Sequence, residues 1–93
     1  MTELERLEAT RDRVEQIVRT EHYLMHEGQP VRDPDTGEPL TDGAPRLAAM
    51  DLALEITDAI WRLNGIQGAG PVITADEAES RLRGLEQRAA GGS

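Results

Sequence analysis

The segment "APRLAAMDLALEITDAIWRLNG", Ala44 to Gly65, constrains the fold more than any other part of the chain. Asp51, Glu55, Asp58 and Arg62 are spaced four, three and four apart, so on a helix they form a single polar stripe, and Asp58 can pair with Arg62 one turn on. Nearly every other position is apolar or small: Leu47, Ala48, Ala49, Met50, Leu52, Ala53, Leu54, Ile56, Ala59, Ile60, Trp61 and Leu63. A helix on the surface of a monomer needs one apolar face. This one is apolar around most of its circumference, so it requires neighbours on at least two sides. Asp42 is the expected N-cap, Pro45 falls in the first turn where a missing N–H is harmless, and Gly65 ends the helix, which gives a span of about 43–64.

The rest of the chain has little with which to cover such a helix. Its 93 residues make one domain with 38% hydrophobic residues, no Phe, one Trp and one Tyr. A chain this small gains stability from long helices, from partners, or from both. The first segment, about residues 2–27, opens with a Thr-x-x-Glu capping box, Thr2 with Glu5. It carries a helical stripe of Leu4, Leu7, Val14, Ile17, Val18, Leu24 and Met25, interrupted by Arg11 and Glu21. Gly28 is its natural C′ stop. A second capping box, Thr74 with Glu77, starts a third helix over about 74–90. Its stripe of Ala78, Leu82, Leu85 and Ala89 is as thin as a coiled-coil seam, which predicts a lid or strut rather than a core element. Residues 91–93 are expected to form a flexible tail.

Between the first two helices lies "VRDPDTGEPL", Val31 to Leu40. Asp33 and Pro34 suit the first two positions of a type I turn, and Gly37 suits a left-handed position closing a bulged hairpin. Pro30 and Pro39 cannot donate ladder hydrogen bonds, so this β-corner over about 30–40 is short and edge-like. A calcium loop is excluded by spacing: counted from Asp33, its fifth position is Gly37 and its twelfth is Ala44. The glycine-rich stretch Gly65 to Ile73 lacks the Gly-Lys-Ser/Thr ending of a phosphate loop and follows a helix. Ile66, Val72 and Ile73 are expected to pack it down. The fold class is therefore mostly α: a long helical hairpin with a short β-hairpin corner and a third C-terminal helix, in one domain over residues 1–90.

No constellation for catalysis stands out. Ser occurs only at Ser80 and Ser93, there is no Cys and no Lys, and the carboxylate stripe has no His at a joining position. A non-enzymatic protein without a cofactor is the expectation. His22 and His26, four apart, share a face of the expected first helix and are the weak metal candidates. They lack the Glu that follows the first His in the zinc-protease motif, since Tyr23 stands there, and a third ligand would have to come from elsewhere. The formal net charge of -8 opposes direct nucleic-acid binding and binding to anionic membranes. No apolar run approaches a membrane span, and the charged N-terminus lacks the apolar stretch of a signal peptide, which together predict a cytoplasmic chain.

The surplus apolar girth of the second helix predicts a homo-oligomer. The contact residues expected from it are Met50, Leu52, Leu54, Ile56, Ile60, Trp61 and Leu63. An acidic monomeric inhibitor or adaptor that binds a basic protein surface is the alternative. Three stretches, "EHYLMHEGQPVRDPDTGEPL", "APRLAAMDLALEITDAIWRLNGI" and "VITADEAESRLRGLEQ", give the chain a weak resemblance to small helical proteins of actinobacterial phages and prophages. Some of these are grouped with the small subunit of terminase, the DNA-packaging machine. The resemblance covers roughly Leu7 to Gln87 and implies a helical subunit that assembles into a ring and regulates packaging, inside a bacterial host cell. Small terminase subunits usually bind DNA through an N-terminal helix-turn-helix. This chain has one acidic-rich helix there instead, so no DNA-binding residue carries over.

Overall fold

Thr2 opens the first helix in the way the capping box requires. Its hydroxyl accepts from the Glu5 amide at 3.1 Å while Glu5 Oε1 accepts from the Thr2 amide at 3.1 Å. In the computed structural model, which describes residues 1–65 and 72–91 (backbone only for 89–91), α1 spans Glu3–Arg19, α2 spans Ala44–Leu63 and α3 spans Ala75–Gly91. The fold is all-α, with α1 and α2 packed as a hairpin, a short antiparallel β-corner between them, and α3 laid along both.

The core is one cluster drawn from all three helices. Leu7, Val14 and Ile17 of α1 meet Ala49, Leu52, Ile56, Ala59 and Ile60 of α2, and Ala75, Ala78, Leu82 and Leu85 of α3. Ile73 joins them, Leu4 and Val18 pack at the margin, and Thr10 is the one buried polar residue among those described. Its hydroxyl donates to the Arg6 carbonyl at 2.7 Å, so the group is satisfied inside its own helix. Leu82 and Ala78 are as fully buried as Leu7. The third helix is thus a core element, which corrects the expectation of a lid or strut. A narrow stripe is enough here because α3 fits a groove already formed by two helices.

Charged pairs fix the position of α3. Arg6 forks onto Glu79 at 2.7 and 3.2 Å and also reaches Asp76. Arg13 grips both oxygens of Glu86 at 2.6 and 2.8 Å, and Arg81 pairs with Glu55 on α2. The order of these pairs sets α3 parallel to α1 and antiparallel to α2. Hydrogen bonding to Arg6 holds the Glu79 carboxyl below its usual 4.5, and the Thr2 amide and hydroxyl do the same for Glu5.

The first helix ends at Arg19, not at the expected Glu27. Its last carbonyls are taken by groups that leave the helical path. The Thr20 hydroxyl and amide both donate to the Gln16 carbonyl, His22 Nε2 donates to the Ile17 carbonyl at 3.0 Å, and Arg46 Nε donates to the Val18 carbonyl at 2.8 Å. Residues 22–42 then form the corner. Strand β1, Met25–His26, pairs antiparallel with β2, Gln29–Pro30. Glu27 and Gly28 both have positive φ, 51° and 79°, as a two-residue type I′ turn requires. Gly28 is therefore the second residue of a hairpin turn rather than a helix stop. The second hairpin is the one expected. Arg32 bridges Pro39, Gly37 has φ 75°, the Asp33 carboxylate accepts from the Asp35 amide at 2.8 Å, and the Asp33 amide donates to the Glu38 carbonyl at 2.8 Å.

The two hairpins are knitted by a ring of three backbone bonds: Leu24 to Leu40 at 2.9 Å, Leu40 to Val31 at 2.8 Å and Val31 to Leu24 at 2.8 Å. The molecule measures 53 × 22 × 18 Å, longer than the ~30 Å of its longest helix. Gly43 rather than Asp42 is the N-cap of α2, with Asp42 Oδ1 accepting from the Ala44 amide at 3.0 Å. The expected packing of Ile66 and the expected flexible tail lie outside the described residues, except that Gly91 closes α3.

Two outcomes test this packing. Leu82→Ala, measured by chemical denaturation, should lower stability by about 2–5 kcal/mol, the range for a buried leucine, and not by the few tenths expected of a peripheral strut. Glu5 and Glu79 have depressed folded values, so their contribution is present above pH 4.5 and is lost as pH falls through the lowered values. Thermal melts should show a declining midpoint below pH 4.5, and Glu79→Gln should make that decline shallower.

Candidate protein-interaction surface

The periodicity of α2 divides its surface into three arcs. At about 100° per residue, Ala49, Leu52, Ile56, Ala59 and Ile60 face inward and are covered by α1 and α3. Asp51, Glu55, Asp58 and Arg62 form the polar arc, where Asp58 holds Arg62 Nε at 3.3 Å and Glu55 holds Arg81. The third arc runs through Leu47, Met50, Leu54, Thr57 and Trp61, spaced three, four, three and four apart. Leu47 is 64% exposed, Met50 48%, Leu54 70% and Trp61 52%. That spacing is the one by which a helix presents a seam to another helix.

Beside this arc, where α2 meets the C-terminal half of α1, lies an open groove of about 370 Å³. Val18, Met50, Ala53 and Leu54 make its apolar walls, Thr57 closes one end, and Glu15 and Arg19, paired at 3.6 Å, stand on its α1 rim. The small side chain of Ala53 leaves the hollow, and Leu54 forms the ridge next to it. Such a surface has the chemistry to bury apolar side chains of a partner.

The expected contact residues therefore separate into two groups. Met50, Leu54 and Trp61 lie on the uncovered arc. Leu52, Ile56 and Ile60 are buried against α1 and α3 in the single subunit, so they are core residues of the chain and not surface available to a partner. Both groups are equally apolar in sequence, and only the placement of α3 decides which arc is covered. Leu63 is 52% exposed but lies seven residues beyond Ile56, on the core side of the helix near its end, away from the seam. Leu47 belongs to the seam and was missing from the expected set. The alternating three- and four-residue spacing from Leu47 through Trp61 is the signal that reveals it.

The two histidines do not come together as the sequence suggested. With α1 ended at Arg19, His22 is engaged with the Ile17 carbonyl and His26 sits in β1, 3.9 Å from Glu27. Four residues of extended chain separate side chains by about 13 Å, against about 6 Å for one helical turn. The small hollow beside His22, lined also by Glu21, Thr41, Asp42 and Arg46, encloses only about 50 Å³. Among the described residues no three His, Asp or Glu side chains gather as a metal site, and no helix is long and apolar enough to cross a membrane.

No protein-family model matches the chain, and neither a curated protein nor a solved structure matches it.

Proposed function

We propose that the protein is a non-enzymatic helical assembly subunit that associates with further copies of itself through the uncovered arc of α2. The observation that carries this reading is the contiguous row of Leu47, Met50, Leu54 and Trp61, about half or more exposed along four turns of one helix. Isolated exposed apolar side chains are ordinary on a monomer, whereas a continuous apolar stripe flanked by charge marks an interaction surface. The shape of the stripe adds to this, since a ridge and a hollow lie side by side on one face. A more specific role, as a component of a phage packaging or morphogenesis complex related to small terminase subunits, rests on the resemblance of the three sequence stretches quoted above. In that role the chain works by protein–protein contact, because its acidic α1 offers no basic face to DNA.

Light scattering coupled to size exclusion tests the reading. At micromolar concentration the chain should elute with at least twice the subunit mass, and Leu54→Glu should return it to one subunit. Because Leu54 is 70% exposed in the single subunit, that substitution should leave the helical content by circular dichroism unchanged. A chain of single-subunit mass at high micromolar concentration would overturn the proposal.

A further inference from the structure

We infer that the second copy docks parallel to the first, about a two-fold axis running along α2, with Leu54 of each subunit seated in the α1–α2 groove of the other. This inference rests on the self-association proposed above and specifies its geometry. The argument starts from the asymmetry of the uncovered arc. At about 100° per residue, Leu47 and Leu54 lie on its edge toward Asp51 and Asp58. Ala53 and Thr57 lie on the opposite edge, toward α1, and line the groove. Met50 and Trp61 run between. One edge is thus a ridge bordered by acid, and the other is a hollow bordered by α1.

A two-fold axis can join two such faces in two ways. An axis across the helices makes them antiparallel and sets each edge against the same edge of the other copy. Leu54 then meets Leu54, hollow faces hollow, and Asp51 approaches Asp58 of the second copy. That arrangement leaves the groove unfilled and places like charges together, both unfavourable. An axis along the helices makes them parallel and exchanges the edges. Each Leu54 ridge then lies over the Ala53 hollow of the other copy. The acidic border of one subunit faces the α1 border of the other, where Arg46 stands near the mutually neutralised Glu15–Arg19 pair. Arg46 precedes Asp51 by five residues, the offset at which flanking charges pair across a parallel two-helix seam. Arg46 is exposed and is held toward this border by its Nε bond to the Val18 carbonyl at 2.8 Å. Shape and charge therefore select the same arrangement.

The chain contains no cysteine, so an introduced thiol is unique. In the parallel arrangement position 50 lies level with position 50 of the second copy. In the antiparallel arrangement centred on Leu54 it lies level with position 58, about 12 Å further along the helix and beyond the ~7 Å reach of a disulfide. The experiment compares Met50→Cys alone with an equimolar mixture of Met50→Cys and Asp58→Cys chains, under mild oxidation at micromolar concentration. Light scattering is run on the reduced samples and circular dichroism confirms the fold of each variant.

The expected result is a disulfide-linked dimer from Met50→Cys alone. It should form roughly tenfold or more faster than in the same chain carrying Leu54→Glu, because docking concentrates one thiol at the other. An oligomer that cross-links only in the 50/58 mixture overturns the parallel geometry and leaves self-association standing. An oligomer that gives neither cross-link overturns the parallel geometry and also excludes an antiparallel one centred on Leu54. Reduced chains of single-subunit mass overturn both this inference and the self-association on which it rests, and leave the groove to a different protein.

Discussion

Everything in this molecule depends on how much of α2 can be taken out of water. The helix is apolar over most of its circumference, and burial of apolar surface is the main favourable term available to a chain with so few large side chains. Two neighbours, α1 and α3, cover one arc and form the single core cluster. Geometry limits what two helices can cover, since each occupies one side of a cylinder. The polar arc uses most of what remains. Leu47, Met50, Leu54 and Trp61 lie beyond the reach of both neighbours and stay in water. The functional reading is a consequence of this packing.

The corner and the ion pairs determine which arc is left over. Helix α1 stops at Arg19 because Thr20, His22 and Arg46 take its terminal carbonyls, and the last of these comes from the first turns of α2. That bond ties the start of α2 to the end of α1 and sets the register of the hairpin. The Arg6–Glu79 and Arg13–Glu86 pairs hold α3 against α1, and Arg81–Glu55 holds it beside the polar arc of α2. Pairs as open to water as Arg13–Glu86 and Arg81–Glu55 add little stability, but the order of the pairs along the helices gives direction to α3. With α1 on one flank and α3 on the other, the uncovered stripe is bordered by α1 on one side and by Asp51 and Asp58 on the other.

Much of this was legible in the residues. Both capping boxes, the span of α2, the turn at Asp33 to Gly37 and the Asp58–Arg62 pair follow from local chemistry, and local chemistry is what a sequence carries most directly. The end of α1 was not legible. Leu24 and Met25 continue the helical spacing of Val14, Ile17 and Val18, yet they lie in the corner, exposed, because their backbone is claimed by Leu40, Val31 and Pro30. A contest between local periodicity and backbone pairings made five to sixteen residues away cannot be decided from spacing alone. The site was half legible for a similar reason. The surplus of apolar residues on α2 shows in the sequence, but Leu52 and Leu54 look alike until α3 is placed. The stripe of α3 is thin, so its part in the core was the least visible feature of all.

The central claim is that the outer arc of α2 is covered by another copy of the chain. Trp61, the only tryptophan, lies on that arc and is 52% exposed in the single subunit. Its fluorescence emission reports its cover directly. Measured from high micromolar to low nanomolar concentration, the emission maximum should move from blue to red in one cooperative step as the copies part. An emission maximum that stays at the solvent-exposed position across the whole range would contradict the account.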